Sequence, residues 1–197
     1  LIRSSQKNIE IAFFLFIFAK KIMENLQYPI GKFEPIEFSE SYKKACIEII
    51  QNFPNNLKAV ITKLDEKQIH TPYREGGWTV FELIHHIADS HGQAFYRFKL
   101  ALTEDSPTIK PYNEKLWVKT PDVVYSTKEL CLSSIEILHQ RWLILLQHIL
   151  DEEWETKAVF HPAQNKKMSL WFLLTMYAWH SKHHLAHITQ LIQRNNW

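Results

Sequence analysis

The chain has 197 residues and a formal net charge of +2, so it is long enough for one domain with a substantial core. Apolar residues make up 46% of the sequence and charged residues 22%, a composition typical of globular proteins. The small net charge argues against an extended basic surface for nucleic acid or membranes. The four glycines form neither a GxGxxG motif nor a P-loop, which excludes nucleotide binding through either motif.

The N-terminal segment differs from the rest of the chain. Residues 11–19 form the apolar run IAFFLFIFA, which is too short to span a bilayer and is not followed by a small-x-small cleavage site. Because Met23 follows this run, we expect residues 1–22 to be an over-called start or a disordered extension. Residues 23–197 are then a single domain. An uncleaved membrane anchor is the alternative for the first segment.

Four long helical segments are predicted, at residues 39–64, 79–103, 126–150 and 169–194. Pro54 is expected to interrupt the first, because proline lacks an N–H donor. The pairs Thr79 with Glu82 and Ser126 with Glu129 have the spacing of capping boxes, which mark the starts of the second and third helices.

The connections between these segments also carry information about the fold. Residues 104–125 contain three prolines and are expected to form a long crossover loop. Residues 154–168 look irregular, with a short strand expected around Val159. These features predict an all-α protein, a four-helix bundle with a long crossover loop. Cys46 and Cys131 are far apart in sequence and are expected to be reduced thiols in the core.

Eleven histidines are unusual for this length, and the fourth helix carries the most distinctive group. At 100° per residue, His180, His184 and His187 lie in the middle of the face that packs inward, and His183 lies towards its edge. A single buried histidine is more often a hydrogen-bonded core residue than a ligand. Spacing i, i+4, however, lets two imidazoles reach one metal at about 2.0–2.1 Å. The pattern supports His180 with His184 and leaves His187 as a rival ligand.

The second helix supplies a candidate third ligand. His91 lies within the apolar stripe of this helix and is expected to be a core histidine, whereas His85 is expected to face solvent. His86 lies on the shoulder between them, beside polar residues that include Ser90 and Arg97. This shoulder is either a solvated surface or a polar wall beside a metal, with Arg97 as an anion anchor. Helical geometry alone does not decide between the two.

Three histidines without a carboxylate are typical of a zinc-like divalent ion that keeps an open fourth position, as in catalytic sites. Such an ion lowers the pKa of a bound water or thiol and produces a nucleophile near neutral pH. Asp89, Glu82 and Glu153 are candidates for orienting groups or for proton transfer. Their spacing assigns a role to none of them.

Several long segments resemble the YfiT family, whose members are provisionally classed as metal-dependent hydrolases within the DinB-like superfamily of four-helix bundles. The segments are YPIGKF at 28–33, TPYREGGWTVFELIHHIADSH at 71–91, RFKLALTEDSPTIKPYNEKLW at 97–117, LHQRW at 138–142 and WHSKHHLAHITQL at 179–191. The resemblance covers residues 23–197, and the first 22 residues have no counterpart in it.

The resemblance implies that His86, His180 and His184 hold the metal. Because a glutamine often stands at the position of His187 in the wider superfamily, it implies a supporting or substrate-facing role for that residue. It also implies a cytoplasmic homodimer with one divalent ion per subunit, zinc or else nickel. We expect a small-molecule substrate, with no nucleic-acid or membrane partner, and Arg97, His187 and Ser90 as substrate-binding residues.

The nucleophile stays open at this point. The first expectation is a metal-dependent hydrolase that activates water at the three-histidine site. The alternative is a metal-dependent S-transferase that activates a low-molecular-weight thiol of the bacillithiol type for attack on electrophiles. A non-enzymatic bundle that binds metal or serves in a stress response is the third hypothesis. The polar residues beside His86 favour a substrate site only weakly.

Overall fold

The computed structural model describes residues 24–197, so the expectations for residues 1–22 and for Met23 lie outside the described residues. Four long helices dominate it, namely α1 (Glu40–Ile61), α2 (Val80–Thr103), α3 (Lys128–Gln147) and α4 (Leu170–Asn195). An antiparallel hairpin, β1 (Ala158–His161) with β2 (Lys166–Ser169), confirms the strand predicted around Val159. The remaining elements are short helical turns at residues 24–27, Glu66–Ile69, Glu114–Trp117, Pro121–Val124 and Glu153–Thr156, with a 3-10 turn at Pro162–Gln164.

The bundle has a diagonal arrangement. Helices α1 and α2 each pack against both α3 and α4, so α1 lies diagonally opposite α2. Val80 and Leu132, near the starts of α2 and α3, share one half of the core, and Phe98 and Trp142, farther along the same helices, pack in the other half. Helices α2 and α3 therefore run parallel. The long connection between them must return along the bundle, in agreement with the predicted crossover.

Helix α1 continues through Pro54, so the predicted interruption is wrong. A proline in a helix removes one hydrogen bond, the one that its N–H would have donated to the carbonyl four residues earlier. That carbonyl belongs to Ile50, and it lies 2.8 Å from the Nδ1 of His139 on α3. A bond from a neighbouring helix thus replaces the missing one, and the buried proline ring adds apolar contact.

The start of α2 agrees with its predicted capping box. The Thr79 side chain accepts the N–H of Glu82, and the Glu82 carboxylate accepts the N–H of Thr79 at 2.8 Å. The start of α3 differs from the prediction, because its N-cap is Thr127, whose side chain accepts the N–H of Leu130. Ser126 instead closes the preceding turn through a bond from its N–H to the Val123 carbonyl, so the predicted box at Ser126 is wrong.

Within residues 24–197, no helix combines the length and the apolar character needed to cross a membrane. Cys46 and Cys131 are buried and free, as predicted.

The cap at the start of α3 gives a stability prediction. We expect Thr127→Ala to lower the free energy of unfolding by about 1 kcal/mol, because the Leu130 N–H loses its acceptor. Ser126→Ala is the matched control and should change it by less than about 0.5 kcal/mol. Urea denaturation followed by circular dichroism measures both. Equal losses in the two variants would contradict the assignment of the cap.

Candidate metal centre

Three histidines from two helices converge in the middle of the bundle. His86 comes from α2, and His180 and His184 come from adjacent turns of α4. The ring centre of His86 lies 5.4 Å from that of His180 and 5.1 Å from that of His184. One ring nitrogen of each lies within 4.8 Å of the other two. The structure therefore brings together the three residues that the sequence predicts as metal ligands.

The arrangement fits a divalent ion. The Nε2 atoms of His180 and His184 face each other at 3.0 Å. Two nitrogens bound to one tetrahedral ion at about 2.0–2.1 Å lie about 3.3 Å apart, so this pair needs only a small adjustment to share a metal. The Nδ1 of His86 is buried without a hydrogen-bond partner, so this ring carries an unsatisfied nitrogen that a metal bond or a bound water would satisfy.

A second histidine group adjoins the first. His183, His184 and His187 also place ring nitrogens within 4.8 Å of one another. However, the Nδ1 of His184 lies 3.3 Å from the Nδ1 of His187, and the Nε2 of His187 lies 3.2 Å from the carbonyl oxygen of Gln27. Hydrogen bonds thus occupy the side of His184 that faces this group. The group around His86 is the better candidate for a metal.

Burial keeps the three candidate ligands neutral. It lowers the pKa of His86 to about 4. It holds the pKa of His180 and that of His184 well below the ordinary range, with the neighbouring histidines as a further cause. Neutral imidazole is the form of histidine that binds a metal, so the site does not have to lose protons at neutral pH before it can bind one.

A cavity of about 520 Å³ opens beside His184. Its lining includes three aromatic rings and three cationic side chains, namely Tyr28, Tyr73, Trp78, Arg74, Lys115 and Lys119. The Trp78 ring packs on His86 with the ring centres 4.5 Å apart, so the wall of the cavity touches the histidine cluster. Of the three candidate ligands only His184 lines the cavity, together with His183 and His187, and His86 adjoins it through the Trp78 ring.

The predicted substrate-binding residues are not all at this cavity. His187 lines it. Arg97 is buried and donates to the Tyr177 hydroxyl at 3.1 Å, and Ser90 lies beside the same hydroxyl. Neither of the two is among the residues that line the cavity. Contacts of Arg97, Ser90 and His187 with a substrate stay predictions.

The acidic candidates have other local roles. Glu82 caps α2 and also lines the cavity, and Glu153 accepts the N–H of Leu150 at 3.0 Å. Burial, followed by the charge of Asp122, raises the pKa of Asp89 to about 6. Asp89 is not among the residues of either histidine group or of the cavity lining.

Several residues of the site could not be found from helical periodicity. Arg74, Trp78, Lys115 and Lys119 lie in connections rather than in the long helices, and only the folded chain brings them to the cavity beside His184. His85, expected to face solvent, is buried. Its ring packs on Phe81 with the centres 4.8 Å apart, and the connection that carries Asp122 folds near it.

Comparison with known proteins agrees with this fold. The family model of the DinB superfamily matches residues 50–188. A relative from Bacillus pumilus is 46% identical over 176 residues, covering 89% of this chain and 99% of the relative. YfiT from Bacillus subtilis is 40% identical over 174 residues, covering 88% of this chain and 97% of YfiT. Both relatives are named, provisionally, as metal-dependent hydrolases.

Solved structures agree as well. That of YfiT from Bacillus subtilis, described as a four-helix bundle of unusual topology, matches with a TM-score of 0.85, covering 88% of this chain and 99% of that one. The four-helix bundle protein TT2238 matches with a TM-score of 0.55 at 15% identity, covering 75% of this chain and 98% of that one, a likeness of fold alone.

Metal content tests the three-histidine assignment. We expect His86→Ala and His180→Ala to reduce bound zinc from one ion per chain to nearly none after dialysis against buffered zinc, because two imidazoles alone hold it weakly. His148→Ala removes an exposed histidine outside the cluster and should keep one ion. Elemental analysis reads all three. One ion per chain in both cluster variants would rule out the assignment.

The buried histidines also predict how the metal-free protein responds to acid. The pKa of His139 is about 4 in the folded chain because of burial, against about 6.5 when unfolded. A lowered folded-state pKa contributes stability above pH 6.5 that is lost as pH falls towards 4. We expect the free energy of unfolding to fall by about 1 kcal/mol per pH unit for each such histidine. Urea denaturation at pH 8, 7, 6 and 5 measures it, and constant stability from pH 7 to 5 would contradict the neutral core.

Proposed function

The chain belongs to the DinB superfamily, and on that premise we propose that it is a metal-dependent hydrolase with its metal on His86, His180 and His184. One observation carries the proposal, namely that three neutral imidazoles converge with no carboxylate among them, and that one of them, His184, lines a cavity of about 520 Å³. Three protein ligands with a free position are typical of catalytic sites, whereas structural zinc sites have four. The names of the relatives from Bacillus pumilus and Bacillus subtilis support the same activity.

An ion bound there would supply Lewis acidity, which polarises a carbonyl and brings the pKa of a water close to neutral. Zinc suits an all-imidazole set best, and nickel is the second choice. The residues of the chain would hold the ion and bind the substrate. His86, His180 and His184 would hold the ion, the Trp78 ring packs on His86, and the cavity that His184 lines would receive the substrate.

The cavity lining carries three cations, Arg74, Lys115 and Lys119, against the carboxylates of Glu82 and Glu114, and this excess of positive charge favours a small substrate with an anionic group. The rings of Tyr28, Tyr73 and Trp78 offer apolar contact. Arg74 donates to the Glu75 carbonyl, whereas Lys115 and Lys119 form no ion pair with any residue of the described part of the chain. The two lysines are therefore free to attract a carboxylate or a phosphate at the rim.

Transfer of a low-molecular-weight thiol is the second candidate function. The same two lysines favour it, because bacillithiol carries carboxylates. Both candidate reactions need the same metal position and the same cavity. They differ in whether the nucleophile comes from water or from an added thiol.

A paired assay separates the two functions. Zinc-loaded protein is offered aryl esters and anilides with and without a carboxylate, and separately monobromobimane with and without bacillithiol. We expect turnover of the ester or anilide without any thiol, and its loss in His180→Ala. Consumption of monobromobimane only when bacillithiol is present would support thiol transfer instead. No turnover in any arm, with tight zinc binding, would leave a non-enzymatic metal protein.

The lysines at the rim give a further prediction. Lys115→Gln with Lys119→Gln should raise KM about threefold to tenfold for the carboxylated substrate, since each exposed charge pair contributes up to about 1 kcal/mol. The KM of the neutral substrate should stay unchanged. Lys44→Gln with Lys63→Gln, exposed lysines outside the cavity, is the charge-matched control. An equal rise in KM for both substrates would contradict an anion-binding rim.

A cytoplasmic location and a homodimer, which the resemblance to the YfiT family implies, remain proposals. Light scattering on the purified chain decides the second.

A further inference from the structure

We propose that His91 and His139 are positioning residues, which together fix His180 in the tautomer that presents Nε2 to the metal. His180, His91 and His139 form a chain of hydrogen bonds that ends at the carbonyl of Ile50. Pro54 leaves this carbonyl without its helical partner, and the carbonyl determines which atom of each pair donates. The inference rests on the role of His180 as a metal ligand in the proposed function.

The three imidazoles form one continuous chain across three helices. The Nδ1 of His180 lies 3.1 Å from the Nε2 of His91. The Nδ1 of His91 lies 2.8 Å from the Nε2 of His139. The Nδ1 of His139 lies 2.8 Å from the carbonyl oxygen of Ile50. Each ring thus uses both of its nitrogens, except for the Nε2 of His180, which faces the candidate metal position.

The carbonyl at the end decides where every proton lies. A carbonyl oxygen only accepts, so the Nδ1 of His139 must carry a proton and donate it. In a neutral ring the Nε2 of His139 is then an acceptor, and the Nδ1 of His91 must donate to it. By the same step the Nε2 of His91 accepts from the Nδ1 of His180. The Nε2 of His180 is left with its lone pair, as a metal ligand requires.

Pro54 supplies the starting point of the chain. In an uninterrupted helix, the N–H of residue 54 would donate to the carbonyl of residue 50. Because proline has no N–H, the carbonyl of Ile50 is left free on a buried face of α1, directed at α3. Pro54, which the sequence predicts to interrupt α1, therefore frees the Ile50 carbonyl, and this carbonyl orients His180 through His139 and His91.

The surroundings leave the chain few alternatives. His91 is fully buried and His139 is 2% exposed, so water cannot replace a lost partner easily. The rings of Phe53 and Trp142 pack against both. Among the described residues, no carboxylate pairs with either histidine, so nothing stabilises a second proton on the chain.

A second, shorter chain of hydrogen bonds fixes the tautomer of His184 in the same way. The Nε2 of His187 lies 3.2 Å from the carbonyl oxygen of Gln27, so it donates to it. The Nδ1 of His187 then accepts from the Nδ1 of His184 at 3.3 Å, which leaves the Nε2 of His184 unprotonated. Two lone pairs consequently face each other at 3.0 Å between His180 and His184. A cation between them relieves that repulsion.

The test combines zinc affinity with a direct reading of the tautomer. We expect His139→Phe to weaken zinc binding about 10–100-fold, measured by competition with a chromophoric chelator, with one ion still bound at saturation. His139→Gln should restore most of the affinity, because its amide can donate to the Ile50 carbonyl and accept from His91. His85→Phe replaces a buried histidine of α2 that lies outside the hydrogen-bonded chain, so it is the matched control and should bind zinc normally.

Nitrogen-15 spectra of the metal-free protein show which ring nitrogen of His180 carries the proton. A purely structural role of His139 would leave this tautomer unchanged. The wild type and His139→Gln should show His180 with its proton on Nδ1, and His139→Phe should show a mixture or the Nε2–H form. Wild-type zinc affinity in His139→Phe, or an Nε2–H His180 in the metal-free wild type, would overturn the proposal. If the wild type bound no zinc, the proposed function would fail, whereas the spectra would still decide the tautomer.

Discussion

A buried imidazole must satisfy two nitrogens with a single proton, and this constraint shapes the centre of the bundle. His86, His91, His139, His184 and His187 are all nearly excluded from solvent. None of them can gain a second proton without a large penalty, since burial lowers the pKa of each. In the two chains of hydrogen bonds every proton has an acceptor, because each chain ends at a backbone carbonyl, whereas the Nδ1 of His86 has no partner. The ring nitrogens that stay unprotonated then point to one place.

The topology of the helices makes this convergence possible. Helix α4 packs against α1 on one side and α2 on the other, so its inward face meets both His86 of α2 and the hydrogen-bonded chain that ends on α1. Because α2 and α3 run parallel, the connection between them travels along the bundle and brings Lys115 and Lys119 to the rim of the cavity. The same topology therefore places both the candidate metal ligands and the lysines at the rim of the cavity. An element that is irregular in sequence contributes the charges, and the regular helices contribute the metal ligands.

The sequence predicts the helices and the ligands of the site better than it predicts what surrounds them. Spacing i, i+4 places His180 and His184 on one face because α4 is regular, and the resemblance to the YfiT family selects His86 among its neighbours. The sequence does not predict that α1 continues through Pro54, because the effect of a lost helical bond depends on what replaces it, and the donor, His139, lies far along the chain. The same limit applies to Arg74 and Trp78, whose positions depend on how a connection folds around the cavity. Local patterns determine faces of helices, whereas partners between helices require the packed structure.

A crystal structure of the zinc-loaded protein at neutral pH, with the ion located by anomalous scattering, tests the central claim most directly. The account predicts one ion bonded at about 2.0–2.1 Å to the Nε2 atoms of His180 and His184 and to a ring nitrogen of His86. A solvent or substrate atom should complete its coordination on the side of the cavity, and His187 should remain hydrogen-bonded to the Gln27 carbonyl. An ion bound instead by His183, the Nδ1 of His184 and His187 would contradict it.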